Sequence, residues 1–163
     1  MELCLGTVQF GMDYGISRQK QPTVEQAVNM LDFATQNGIN TIDTANAYGT
    51  AEDVVGCFLQ KKTIVRDKLW IISKFTPNLL DDASEDKYYG IMKQNLEKSL
   101  TRLHLDYLDT YLLHSARYVY NDAIIETLNR LKKEGYARKV GVSVYEPEEA
   151  KKCIERTNVD FMQ

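Results

Sequence analysis

Residues 69–74 read LWIISK, a continuous apolar run with the length and composition of a β-strand that is buried on both faces. Five other short runs have a similar character, at residues 3–8, 39–43, 109–114, 139–144 and 159–163. Longer segments with apolar residues at helical spacing separate these runs. This alternation predicts an α/β fold in which helices cover a parallel sheet through right-handed crossovers.

Helices are predicted in the five segments between the strands, over residues 24–34, 50–60, 84–103, 124–131 and 148–156. Thr23 and Gln26 have the spacing of a capping box, in which each side chain bonds to the backbone N–H of the other residue. Gly38 and Gly135 follow helical segments and are typical helix stops. Doubly wound sheets and β/α barrels share this element order, so periodicity leaves both architectures open. The first loop, GTVQFGMDYG, lacks the G-x-G-x-x-G spacing of a dinucleotide-binding turn, which favours the barrel.

Composition excludes several classes of protein. A net charge of −3 provides no electrostatic footprint for nucleic acid. The three cysteines, Cys4, Cys57 and Cys153, match neither a disulfide framework nor a metal cluster, and they are typical of reduced thiols in the cytoplasm. The sequence has neither a signal-peptide pattern nor an apolar run long enough to span a membrane. We therefore expect a cytoplasmic protein with no nucleic-acid or membrane partner and no metal.

Polar residues stand at the ends of five predicted strands, namely Asp43, Lys74, His114, Ser143 and Gln163. In parallel β/α folds, ligands bind at the carboxyl ends of the strands and in the loops that follow. Each of these residues taken alone has an ordinary structural interpretation, such as a helix cap, a solvated lysine or a hydrogen-bonded histidine. Their recurrence at successive strand ends favours an acid–base site at one mouth of the sheet.

Tyr48 lies five residues after Asp43, in the same predicted loop. Tyrosine is abundant in this sequence, so its presence alone indicates nothing. A lysine ammonium beside a phenol favours the ionised phenol, so Lys74 is expected to lower the pKa of Tyr48.

Four stretches of the sequence resemble the aldo-keto reductases, whose fold is a (β/α)8 barrel. They occur in the family's order and are IDTANAYGTAEDVVG (42–56), SKF (73–75), SLTRLHLDYLDTYLLH (99–114) and KVGVSVYEP (139–147). The resemblance implies reduction of an aldehyde or ketone to an alcohol without a metal. It also implies that Tyr48 is the general acid, that Lys74 paired with Asp43 tunes it, and that His114 orients the carbonyl group.

The same resemblance implies an NADPH cofactor, with NADH possible, and a small-molecule carbonyl substrate. Ser143 and Gln163 match the family positions that hold the nicotinamide carboxamide, whereas Val144 stands where the family usually has Asn. A (β/α)8 barrel takes about 250 residues. We therefore expect residues 1–163 to be a single domain, an incomplete barrel of about six parallel strands and five helices that lacks strands seven and eight.

Two further hypotheses compete with an amino-terminal piece of a reductase. A catalytically silent partial barrel would be an interaction module that forms homo-oligomers through its unpaired sheet edges, at residues 3–8 and 159–163. A doubly wound enzyme of another class is the third hypothesis. Under the first hypothesis this chain carries the acid–base residues but lacks much of the cofactor site, so weak or absent turnover is expected.

Overall fold

Six parallel strands form one sheet in the structure, a computed structural model that describes residues 2–16, 20–61 and 65–163. The strands are β1 (Cys4–Gly6), β2 (Thr41–Asp43), β3 (Trp70–Phe75), β4 (Leu108–Leu113), β5 (Ala137–Val142) and β6 (Phe161–Met162). Their spatial order is β1-β2-β3-β4-β5-β6, so every strand pairs with the next one in the chain. A doubly wound sheet instead reverses its strand order at a switch point. The sequential order is that of a half-barrel, which confirms the barrel-type fold and contradicts the doubly wound hypothesis.

Six helices connect the strands in the described part of the chain, one more than the five predicted. They are α1 (Val8–Gly11), α2 (Val24–Gln36), α3 (Ala51–Gln60), α4 (Glu85–Leu103), α5 (Asp122–Lys133) and α6 (Pro147–Glu155). The prediction of one strand over residues 3–8 was wrong at its carboxyl end, where α1 begins. Thr7 closes the strand, because both its backbone N–H and its hydroxyl donate to the Asp43 carbonyl, each at 2.9 Å. Phe10 N then donates to the Thr7 carbonyl at 2.8 Å, which starts the helical turn.

The predicted helix signals around α2 are confirmed. Thr23 Oγ1 accepts from Gln26 N at 3.2 Å, and Gln26 Oε1 accepts from Thr23 N at 3.0 Å. Gly38 and Gly135 follow α2 and α5 with φ values of 87° and 88°, a conformation that residues with a Cβ rarely adopt. These local signals set where the crossover helices begin and end.

The two faces of the sheet have different surroundings. Side chains on the outer face, such as Ile71, Phe75 and Tyr111, are completely buried in one hydrophobic core with the helices. Full burial of one large apolar side chain contributes about 1.5–3 kcal/mol, so this outer core stabilises the sheet against the helices. The opposite face curves round a groove of about 570 Å³ whose lining includes Cys4 on β1 and Phe161 on β6. Strands from both edges of the sheet therefore face a common interior.

Across the ranges 2–16, 20–61 and 65–163, no helix has the combination of length and apolar character that crossing a bilayer requires.

Candidate active site

A buried ion pair joins the carboxyl ends of β2 and β3. Lys74 Nζ lies 2.7 Å from Asp43 Oδ1 and 2.8 Å from Asp43 Oδ2, and it also donates to the Thr44 carbonyl at 3.1 Å. Lys74 is 1% exposed and Asp43 is 8% exposed. Because β2 and β3 are parallel neighbours, the two residues reach the same end of the sheet and meet on its inner face.

Tyr48 lies in the loop between β2 and α3, directly over this ion pair. Lys74 Nζ is 3.3 Å from Tyr48 Oη and 4.9 Å from the centre of the phenol ring. Backbone contact with α1 fixes the loop from the other side, since a Cβ on Gly11 would lie only 1.7 Å from the Tyr48 carbonyl oxygen. Gly49 has a φ of 57°, and Thr50 N donates to the Gly11 carbonyl at 3.2 Å.

His114 follows β4 and faces Tyr48. The two ring centres are 5.6 Å apart and the ring planes meet at 84°, an edge-to-face contact. His114 Nδ1 is buried and has no hydrogen-bond partner among the residues that the structure describes. The structure therefore brings together all four residues predicted for the acid–base site: Asp43, Tyr48, Lys74 and His114.

The expected lowering of the Tyr48 pKa is wrong for this chain. Burial of the phenol, together with the negative charge of Asp43 and the neighbouring Tyr145 and Tyr14, raises the pKa of Tyr48 to about 12. Asp43 contacts Lys74 through both carboxylate oxygens. The negative charge of Asp43 therefore acts on the phenol from beside the cation and opposes its effect. Tyr48 holds its proton at neutral pH.

Burial also lowers the pKa values of the two basic residues. For Lys74, desolvation lowers the pKa, while the charge of Asp43 and its hydrogen bond to the ammonium act in the opposite direction. For His114, desolvation lowers the pKa, the Lys74 charge lowers it further, and the Asp43 charge opposes both. The imidazole is therefore neutral at neutral pH.

Ser143 and Gln163 lie at neighbouring strand ends, after β5 and β6. Gln163 N donates to the Val142 carbonyl at 3.1 Å, and Val144 N donates to the Gln163 carbonyl at 2.8 Å. Ser143 is 7% exposed, whereas Gln163 is exposed. A hydroxyl and a side-chain amide can both donate to and accept from a carboxamide, so this donor set fits a nicotinamide. Val144 packs against the hydrophobic core.

Sequence reasoning missed Asn46, which lies in the same loop as Tyr48, and Glu52, which lies in the helix that follows. Glu52 is 1% exposed although it is a carboxylate in the first turn of α3. Asn46 Nδ2 lies 3.5 Å from Glu52 Oε2. The detectable signal was an acidic residue within the apolar stripe of a helix, since Ala51 and Val55 on either side of Glu52 are completely buried.

Within the described ranges, no three His, Cys, Asp or Glu side chains converge in a way that could hold a metal ion.

The sequential parallel sheet, with an Asp–Lys–Tyr–His cluster at its carboxyl end, defines a protein of the β/α-barrel class with a candidate acid–base site. Comparison with protein families gives the finer assignment. The model of the "Aldo/keto reductase family" matches residues 2–163, and the chain belongs to this family.

Two curated relatives and one solved structure illustrate the relationship. The chain is 36% identical over 141 residues to YqkF of Bacillus subtilis, an uncharacterized oxidoreductase, covering 82% of this chain and 45% of the relative. It is 31% identical over 150 residues to a glyoxal reductase of the same organism, covering 91% of this chain and 51% of the relative. An aldo-keto reductase from Klebsiella pneumoniae in complex with NADPH superimposes with a TM-score of 0.72 at 28% identity, covering 97% of this chain and 51% of that one. The chain thus spans about half the length of these relatives.

Proposed function

We propose that this chain carries the acid–base residues of a carbonyl reductase, which reduces an aldehyde or ketone to an alcohol with NADPH. The observation that carries the proposal is the position of Lys74 Nζ, 2.7 Å from Asp43 and 3.3 Å from Tyr48 Oη. Family membership and the 31% identity to a glyoxal reductase support a small carbonyl compound as the substrate.

Tyr48 is the proton donor in this proposal. Its raised pKa keeps the phenol protonated at neutral pH. Because Lys74 donates to the phenol oxygen, the O–H of Tyr48 is left to point at a substrate oxygen. As the proton leaves, negative charge grows on Tyr48 Oη beside the ammonium. A positioned general acid of this kind contributes about 10²–10⁴-fold to the rate.

His114 orients the carbonyl group. Its lowered pKa makes the imidazole neutral at neutral pH, so one nitrogen carries a proton and the other carries a lone pair. Buried N–H groups without acceptors are rarer than buried acceptors without donors. Since Nδ1 is the buried nitrogen without a partner, the proton is assigned to Nε2, which then donates to the substrate oxygen.

Ser143 and Gln163 are proposed to hold the carboxamide of the nicotinamide, and the bound cofactor supplies the hydride. NADPH is proposed over NADH because the Klebsiella pneumoniae structure is a complex with NADPH. The amino-terminal-piece hypothesis also stays a proposal: residues 1–163 form one domain of a barrel whose remaining strands complete the cofactor site. Weak or absent turnover is the matching expectation for the 163-residue chain alone.

The test replaces the proton donor. In a full-length protein that contains this chain, Tyr48→Phe is expected to lower kcat for NADPH-dependent reduction of methylglyoxal by about 10²–10⁴-fold, because the phenol proton is lost. Quenching of the Trp70 fluorescence by NADPH measures cofactor binding separately, and it is expected to stay unchanged. Tyr120→Phe, at an exposed tyrosine outside the site, is the control. Wild-type turnover in Tyr48→Phe would refute the mechanism.

A second candidate function is an interaction module, which the open sheet favours. Among the described residues, β1 pairs only with β2 and β6 pairs only with β5. Unpaired edges of this kind template association with another strand. Light scattering of the 163-residue chain is expected to show a homo-oligomer under this proposal, and a monodisperse monomer with a cooperative unfolding transition would exclude it.

A further inference from the structure

Asn46 joins three elements behind the Tyr48 loop. Its Oδ1 accepts from Thr76 Oγ1 at 2.8 Å, in the loop after β3. Its Nδ2 donates to Ser99 Oγ at 3.3 Å, on α4, and to Glu52 Oε2 at 3.5 Å, on α3. Both ends of the amide are engaged, so the side chain has one preferred orientation.

Glu52 binds the amide of Asn46 and is itself held by two further residues. Its Oε1 accepts from Ser73 Oγ at 2.6 Å, and Arg102 Nη1 lies 3.4 Å from its Oε2. Ser73 and Ser99 are completely buried. Displacing a buried carboxylate from its partners is costly, so Glu52 is a fixed point to which Asn46 is bound.

The other side of Asn46 is fixed through Thr76. Asn95 Nδ2 donates to Thr76 Oγ1 at 2.8 Å, and Thr76 N donates to Asn95 Oδ1 at 3.2 Å. Tyr111 Oη, which is completely buried, also donates to Asn95 Oδ1 at 3.2 Å. Since the Thr76 hydroxyl accepts from Asn95, its single hydrogen is available to Asn46, and the hydrogen-bond directions agree across the cluster.

Asn46 is separated from the phenol by one residue, Ala47. The backbone N–H of Asn46 donates to the Lys74 carbonyl at 3.4 Å, and Tyr48 N donates to the Ala45 carbonyl at 3.0 Å. We propose that Asn46 is a positioning residue, which holds the loop so that Tyr48 Oη stays beside Lys74 Nζ and the Tyr48 ring stays against His114. Its role as a catalytic aid rests on the proposed function, whereas its role in placing the ring does not.

The test uses two isosteric variants and a matched control. Asn46→Asp turns the donor that faces Glu52 and Ser99 into a carboxylate oxygen, and Thr76→Val removes the hydroxyl that bonds to Oδ1. Asn129→Asp removes a comparable amide donor, which bonds to two backbone carbonyls at 2.9 and 2.8 Å in α5 and before β6.

Two-dimensional NMR of the 163-residue chain reads the position of the ring directly. Both Asn46→Asp and Thr76→Val are expected to weaken the NOE between the Tyr48 and His114 rings and to shift the His114 imidazole resonances. His104, the second of the two histidines, and the Asn129→Asp variant are expected to keep their wild-type signals. If Asn46→Asp does not fold, Thr76→Val alone decides. An unchanged NOE in the folded variants would overturn the proposal.

Kinetics of the full-length reductase separate the two proposals. A misplacement of about 1 Å costs about 10²-fold in rate, so kcat is expected to fall about 10²-fold in Asn46→Asp with KM within about twofold. If the variants lose the NOE but the wild-type protein reduces no carbonyl compound, the proposed function is wrong and the positioning role stands. If the variants keep the wild-type NOE and the wild-type protein is active, the positioning role is wrong and the proposed function stands.

Discussion

Two buried carboxylates, Asp109 at the amino end of the sheet and Asp43 at the carboxyl end, are each paired with basic side chains. Asp109 is completely buried, and its Oδ2 accepts from Arg66 Nη2 at 2.7 Å and from Ile71 N at 2.8 Å. Its Oδ1 accepts from Arg138 Nη1 at 3.3 Å. These bonds link β4 to β3, to β5 and to the segment before β3, so they stabilise the amino end of the sheet.

Asp43 has a different partner and a different surrounding. The Lys74 side chain is 2% exposed, whereas the Arg66 and Arg138 side chains are 24% and 51% exposed. Arginines at such exposure keep part of their hydration, but Lys74 depends on Asp43 and on nearby oxygens. One of those oxygens is the phenol of Tyr48, at 3.3 Å. The comparison shows that the two ion pairs differ in the burial of their cations, and that the buried ammonium of Lys74 contacts a phenol as well as its carboxylate.

The largest expected effect is at Lys74. Lys74→Met leaves Asp43 buried without its partner, and breaking a buried pair in this way costs about 3–5 kcal/mol of unfolding free energy. Adding Asp43→Leu removes the stranded charge and is expected to restore most of that stability. Urea denaturation followed by circular dichroism measures both variants. If Lys74→Met alone has the wild-type free energy of unfolding, the buried ion pair matters no more for stability than an ion pair on the surface.

A smaller effect is expected at the other carboxylate. Asp109→Asn keeps the shape and one acceptor but removes the charge, and it is expected to cost about 1.5–3 kcal/mol of unfolding free energy. Turnover of the full-length protein is expected to be unchanged, because Asp109 lies at the opposite end of the strands from Tyr48. Asp53→Asn, at an exposed position on α3, is the control. If Asp109→Asn lowers turnover but not stability, the two ends of the sheet do not differ in this way.

The smallest effect is spectroscopic and concerns Tyr48. An ordinary tyrosine has a pKa of 10.0, whereas that of Tyr48 is raised to about 12. Because the usual pKa of tyrosine is about 10, an ordinary phenol is more than half ionised near pH 10.5. Tyr48 stays mostly protonated at that pH. The ultraviolet absorbance of phenolate is therefore expected to be the same in the wild type and in Tyr48→Phe at that pH. Excess phenolate in the wild type would show that the pKa of Tyr48 is not raised.

Strand-end residues were predictable from the sequence because a strand end is a local property. Asp43, Lys74 and His114 each end an apolar run, and parallel strands place such residues at one edge. The short helix α1 was not predictable, because Val8 and Phe10 continue the apolar pattern of the strand before them. What ends that strand is the bond from Thr7 to Asp43, 36 residues away in the chain.

Hydrogen-bond partners across elements were also beyond the sequence. Asn46 and Ser99 are 53 residues apart, and Arg66 and Asp109 are 43 residues apart. Neither pair leaves a periodic signal. The direction of the Tyr48 pKa shift was predicted wrongly for a related reason. It depends on how far the phenol is buried and on the nearby charge of Asp43, and spacing in the sequence does not reveal either.

The order of the strands also bears on how the chain folds. Because each strand pairs with the strand that follows it, every βα unit can dock onto the unit before it without waiting for a distant segment. Elements near the amino terminus of a chain can form while later ones are still being synthesised. The ion pair of Asp43 and Lys74 needs only β2 and β3, so the candidate site can begin to assemble on the ribosome from the first half of this chain.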